Sequence, residues 1–150
     1  EVLTRESAPE AGWVPVAGGF HLTFSSPEGR RSSDVGLVHV SNEASVAAVH
    51  WLTDTPDVEE SAPHLARYGR AFVAAWTAGD EHRVAVVGVD LEIADGPVAI
   101  APTIAPRDDF VTLPNGDVLW AYSSGERGTL HIARLEACAE ERVLARRDAP

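Results

Sequence analysis

The sequence predicts an all-β chain made of three imperfect copies of one four-stranded antiparallel unit. Three observations carry that prediction. A junction motif recurs along the chain, Gly-containing turns follow it at matching places, and apolar segments of strand length lie between the turns.

The junction is Ala-Pro. It occurs at Ala8-Pro9, Ala62-Pro63, Ala105-Pro106 and Ala149-Pro150, at intervals of 54, 43 and 44 residues, with a further copy at Ala101-Pro102 outside the series. The flanks repeat as well. Val2-Leu3-Thr4-Arg5-Glu6-Ser7-Ala8-Pro9 matches Val143-Leu144-Ala145-Arg146-Arg147-Asp148-Ala149-Pro150, and Val58-Glu59-Glu60-Ser61-Ala62-Pro63 is a shorter echo. A single repeat domain over 1–150 is expected, with units at about 9–62, 63–105 and 106–149 and with 1–8 as an extra closing strand.

Inside each unit the same events follow in order. An apolar stretch reaches a turn at Ala17-Gly18-Gly19, Tyr68-Gly69-Arg70 or Asn115-Gly116-Asp117. Asn-Gly is the strongest short hairpin signal, because both central residues of a type I′ turn need positive φ. A strand comes next, over 20–24, 72–76 and 118–122, each ending in an aromatic: Phe24, Trp76 and Tyr122. A second polar turn is clear at Thr77-Ala78-Gly79-Asp80 and at Ser123-Ser124-Gly125-Glu126. Third strands are expected over 35–40, 84–89 and 129–135, and fourth strands over 97–100 and 142–145. Residues 130–147 also carry helix-like spacing at Ile132, Leu135, Ala139 and Val143, which leaves room for a short C-terminal helix.

Four short antiparallel strands per roughly 45 residues, joined by tight turns, is the arrangement of propeller blades. In this respect the chain resembles β-propeller repeat proteins over nearly its whole length. The resemblance implies three four-stranded blades, completed by oligomerisation or by a longer parent chain, since closed propellers typically need about four to eight. It is a resemblance of architecture rather than of subfamily. No WD dipeptide, kelch double glycine with its partners or complete Asp-box is present, and Ser33-Asp34-Val35-Gly36 is a fragment of the last. A β-sandwich or barrel would show similar strands but would not require matched junctions. Three blades would leave two open edges, which a second copy under two-fold symmetry would close.

Composition bounds the function. The 150 residues are 45% hydrophobic and 23% charged, as in globular domains. No apolar run approaches the ~20 residues of a membrane span, and no signal segment is visible. Glu1 is not a translation start, so a processed mature form or a piece of a longer chain is expected, with a secreted or periplasmic address. The net charge is −11, and all 12 basic residues are Arg. Such a chain repels nucleic acid and anionic membranes, and no basic stripe offsets this. Cys138 is the single cysteine, so no intrachain disulfide can form, and its neighbours Glu136 and Glu140 disfavour a thiolate.

Unit one is the longest, and its extra length falls in the turn 25–33, which holds Arg30 and Arg31, and in the stretch 41–60. Insertions in a repeat map to loops, where binding surfaces sit on a rigid scaffold. His50, Trp51, Asp54, Asp57, Arg30 and Arg31 are therefore the candidate ligand-binding residues. His50-Trp51 beside carboxylates could hold a sugar by stacking or a cation through oxygens. The plainer reading makes 46–52 the unit's fourth strand, with Trp51 packed between blades. Asp108, Asp109 and His64 follow Pro junctions and are the candidates for a metal in a central channel, although solvated turn charges are commoner. The six His residues include no zinc spacing, and no nucleophile elbow, phosphate loop or dinucleotide fingerprint occurs.

The expected function is a noncatalytic binding or scaffolding module presenting loops to a glycan or protein ligand, with no cofactor. A lectin-like carbohydrate-binding propeller and a fragment of a propeller hydrolase are the alternatives, since one fold serves many activities.

Overall fold

A computed structural model describes residues 11–124 and 128–137. Within them the chain is all-β and contains no helix. Eleven strands form three antiparallel sheets, each a meander in sequence order. The first sheet holds β1 (Ala11–Val16), β2 (Gly19–Ser26), β3 (Asp34–Ser41) and β4 (His50–Trp51). The second holds β5 (Glu60–Tyr68), β6 (Ala71–Ala78), β7 (Glu81–Val87) and β8 (Ile93–Ile100). The third holds β9 (Val111–Thr112), β10 (Val118–Ser124) and β11 (Thr129–Leu135). Helix-like spacing thus gives way to a strand over 129–135, where β11 pairs along its full length with β10. The part of that stretch from 138 on, with Cys138 and the expected strand 142–145, and the closing strand 1–8 lie outside the described residues.

The second sheet is the middle layer, and β6 shows why. Its alternate residues Phe72, Ala74, Trp76 and Ala78 pack with Val14, Val35, Leu37 and Leu52 of the first sheet's side. The intervening Val73 and Ala75 pack with Ile104 and Val118 toward the third sheet. A strand buried on both faces reads as one continuous apolar run, and small residues on it let the neighbouring layers approach. Each large side chain so enclosed contributes about 1.5–3 kcal/mol. Of the matched aromatics, Phe24 and Trp76 are buried, whereas Tyr122 is half-buried and stacks on His131 at 5.1 Å. Trp120, two residues earlier, is the buried aromatic of the third sheet.

Two backbone features set how the layers meet. β1 runs beside β5, and a Cβ at Gly12 would lie 2.6 Å from the Leu65 nitrogen and 2.9 Å from the His64 Cα. Only glycine permits that approach. The Ala62-Pro63 junction falls inside β5 at a bulge between Ser61 and His64, where Ala62 takes a φ of 50°. A bulge bends its strand and re-aims the side chains on either side of it.

The Asn-Gly hairpin forms by a different turn from the one its dipeptide suggests. Gly116 has a φ of 87°, while Asn115 is not in the left-handed region. Gly116 N–H donates to Leu113 O at 2.8 Å, and Leu113 N–H to Asp117 O at 2.7 Å. This is a type I turn through Pro114 and Asn115, followed by a left-handed glycine. Pro114 imposes it, because its ring fixes the φ that the second position of a type I turn needs.

The turn delivers Asp117 to the interior. Its carboxylate accepts from the Ala137 N–H at 2.9 Å, the Asn115 amide at 2.9 Å and the Arg134 Nε at 2.7 Å, with a second guanidinium nitrogen also on Oδ2. Burial pushes this carboxyl up, but the Ala137, Arg134 and Asn115 hydrogen bonds and the Arg134 charge outweigh it and hold it at about 2.

Candidate functional site

The long turn 27–33 and the 52–59 connection meet at one end of the first two sheets. Ser32 Oγ donates to Thr55 O at 2.6 Å, and Glu60 N–H donates to Ser33 O at 2.9 Å, so the two segments brace each other. Arg30 is central. Its guanidinium bonds Asp54 Oδ1 at 2.8 Å and Asp34 Oδ2 at 3.0 Å, and it lies over the Trp51 ring at 4.1 Å from the centroid. Trp51 also meets Phe24 edge-on at 5.8 Å and joins the apolar cluster on the outer face of the first sheet.

Beneath Arg30 lies a knot of two enclosed acids, Asp34 (1% exposed) and Glu60 (2% exposed). Asp34 Oδ1 accepts from Thr55 N–H at 2.9 Å and sits 3.3 Å from both the Thr53 and Thr55 hydroxyls. Glu60 accepts from Trp76 Nε1 at 3.3 Å and bonds the same Thr53 hydroxyl that faces Asp34. Thr53 Oγ1 already accepts the Val35 N–H at 2.9 Å. A hydroxyl carries one proton, so it cannot donate to two carboxylates at once. Protonating Glu60 resolves this, giving a chain from Glu60 through Thr53 to Asp34 and Arg30. Burial accordingly pushes the Glu60 carboxyl up, Asp34 adds repulsion, and the Thr53, Trp76 and Thr55 hydrogen bonds oppose the rise.

The sequence candidates separate in space. Arg30, Arg31 and Asp54 line one open cavity of about 470 Å3 with Gly29, Asp34 and Pro56. Trp51 supports it from below, with Arg30 occupying a ring face that a sugar would stack on. His50 turns away and pairs with Glu92 through Nδ1 at 2.9 Å. Asp57 is exposed and does not line the cavity. Arg31 is exposed and has no partner among the described residues, so it supplies the cavity's uncommitted charge. Asp34, Glu60 and Thr53 are the residues that sequence reading missed as a group. Asp34 stood out only as part of an Asp-box fragment.

His64, Asp108 and Asp109 line a second cavity, of about 220 Å3, with Gly12, Trp13 and Phe110. Its floor is a three-ring stack, His64 on Phe110 and Phe110 on Trp120, each at 4.8 Å. His64 Nε2 donates to Ala105 O at 2.9 Å, and Asp108 accepts the Ala105 N–H at 2.8 Å. The first bond ties the 101–110 connection to β5, and the second braces a turn within that connection. Among the described residues no three His, Cys, Asp or Glu side chains group as a metal would require. No helix of the described residues is long and apolar enough to cross a membrane.

The first site is thus built from loops, and the second from β1, β5 and the 101–110 connection. The first offers mixed charge at an open mouth, and the second a polar rim over stacked rings. No family model, curated protein or solved structure matches the chain.

Proposed function

We propose that the chain is a noncatalytic binding module of β-propeller type, in which the three sheets are successive blades and their loops present a ligand or protein partner site at the Arg30–Arg31–Asp54 cavity. The observation that carries this reading is the pair of uncovered apolar faces on the outer layers. Leu130 and Ile132 on β11 are each 72% exposed, and Val111 is 52% exposed. On the opposite flank, Phe20, Leu22 and Trp51 are only partly covered around Phe24, Val38 and Val40. Blades stack face to face, so both flanks suit further blades, supplied by a second copy or by a longer chain. The catalytic alternative draws no support from the enclosed acids, because Asp34, Glu60 and Asp117 are spent on internal hydrogen bonds.

Light scattering after size exclusion tests the reading. The expected result is a closed assembly, of about 32 kDa for two copies against 16.0 kDa for one. The substitutions Leu130→Glu and Ile132→Glu should return it to monomer. A monomer that melts in one sharp transition would overturn the reading, because the apolar flanks would then need no cover.

A further inference from the structure

A third cavity, of about 330 Å3, opens between the first and second sheets at the end carrying the β1–β2 and β5–β6 turns, away from the Arg30 cavity. Its polar lining is entirely cationic or basic: His21 on β2, His39 on β3, Arg67 on β5 and Arg70 in the turn. Although the chain has 23 acidic residues, no Asp or Glu among the described residues lines it. The remaining walls are apolar, from Val16, Ala17, Phe72 and Val89.

The basic groups are placed by the fold and left without acid partners. The antiparallel pairing of β2 with β3 across the 27–33 turn sets His21 directly opposite His39, and their rings meet edge-on at 5.3 Å. His21 also meets Phe72 edge-on at 4.9 Å. It is 9% exposed, and its Nδ1 has no hydrogen-bond partner. A buried polar atom in that condition costs stability unless a ligand or water completes it. Arg67 donates to Pro15 O at 3.3 Å and rests 5.7 Å from the Phe72 centroid, so its backbone anchor leaves its charge uncompensated. Arg70 is exposed and has no partner among the described residues. Val89, at the mouth, is 74% exposed.

We propose that this crevice binds a small organic carboxylate, its acid group held by Arg67 and Arg70 beside the His21–His39 pair and its hydrocarbon part lying against Val16, Phe72 and Val89. Guanidinium forks match a carboxylate's two oxygens. The volume lies in the range of small-molecule sites, and apolar walls with a few convergent polar groups are their usual lining. Bare inorganic anions would gain nothing from those walls.

The site is also linked to protons. Burial, then His39 and then Arg67 push the His21 imidazole down, so its surroundings favour the neutral ring. A bound carboxylate reverses the sign of the local field and favours the imidazolium. Binding therefore takes up a proton and tightens as pH falls.

Benzoate is the probe, titrated while the histidine ring resonances are followed by NMR. The His21 and His39 signals should shift saturably, and the affinity should be several-fold higher near pH 6 than near pH 7.5. Arg70→Gln, in an exposed turn, should weaken benzoate by roughly threefold and leave the melting temperature unchanged, and adding Arg67→Gln should bring the loss to about tenfold or more. Benzamide and inorganic phosphate should each bind weakly. Benzamide binding as tightly as benzoate would overturn the role of the acid group. Phosphate binding as tightly as benzoate would overturn the role of the apolar walls. Unchanged affinity in both arginine variants, or no saturable shift at all, would overturn the site.

Discussion

Glu60, at the seam of the first two sheets, and Asp117, in the third, are equally enclosed, yet their ionisation is driven in opposite directions. Asp117 is surrounded by donors alone: a guanidinium, a side-chain amide and a backbone N–H. Glu60 has one indole N–H and only a share in the Thr53 and Thr55 hydroxyl protons, which Asp34 also faces. Burial is common to both and penalises the charged form in both. The supply of donors decides the outcome, so an enclosed acid is best read by counting the protons its neighbours can offer.

Three substitutions would break or sharpen this contrast. The largest effect is expected for Asp34→Ala, which leaves Arg30, Thr53 and Thr55 donors without their shared acceptor. Removing one member of a buried charged network costs about 3 kcal/mol. Urea denaturation reads this, and a loss within experimental scatter would mean that Asp54 alone suffices for Arg30.

Asp117→Asn should come next, destabilising the third sheet at neutral pH. A carboxyl held at about 2, below its usual 3.8, contributes stability that is complete above 3.8 and is lost as pH falls through about 2. The gap in melting temperature between wild type and variant should therefore narrow across that acid window. A gap that stays constant down to the bottom of it would contradict the assignment.

The smallest effect is expected for Glu60→Gln, and its sign is opposite. A carboxyl raised above its usual 4.5 contributes stability that is complete below 4.5 and is lost as pH rises through the raised value. The neutral amide should thus melt higher than wild type at slightly alkaline pH, with the gain fading below 4.5. A lower melting temperature at alkaline pH would show that the ionised carboxylate is the form that Thr53 and Trp76 need.

Much of the fold was legible because its local signals agree. The apolar run ending at Trp76 is a buried central strand, and the glycine turns at 18–19, 69, 79 and 116 mark where strands reverse. Two local readings needed tertiary information. Tyr122 aligned with Trp76 by sequence position, but the register places Trp120 in the core. Pro114 overrode the turn type that Asn-Gly suggests. The sites were legible only in part. Arg30, Arg31 and Asp54 shared an insertion that pointed to loops, and they do line one cavity. The enclosed acids were hidden because their partners are distant in sequence, Thr53 from Asp34 by 19 residues and Trp76 from Glu60 by 16. His21 and His39 were hidden because facing each other depends on strand register. Counting back from the 27–33 turn that joins β2 to β3 would have paired them.

The glycine where β1 touches β5 bears on how quickly anything bound between those sheets could come and go. With backbone pressed on backbone at Gly12, Leu65 and His64, the two sheets have no seam along which to swing apart. A molecule in the crevice above that contact would enter and leave by the open mouth, past Val89 and Arg70, without waiting for a slow rearrangement of the walls. Its arrival would be limited by encounter and its residence time by the strength of its contacts, the behaviour of a receptor that samples its surroundings rather than one that traps what it catches.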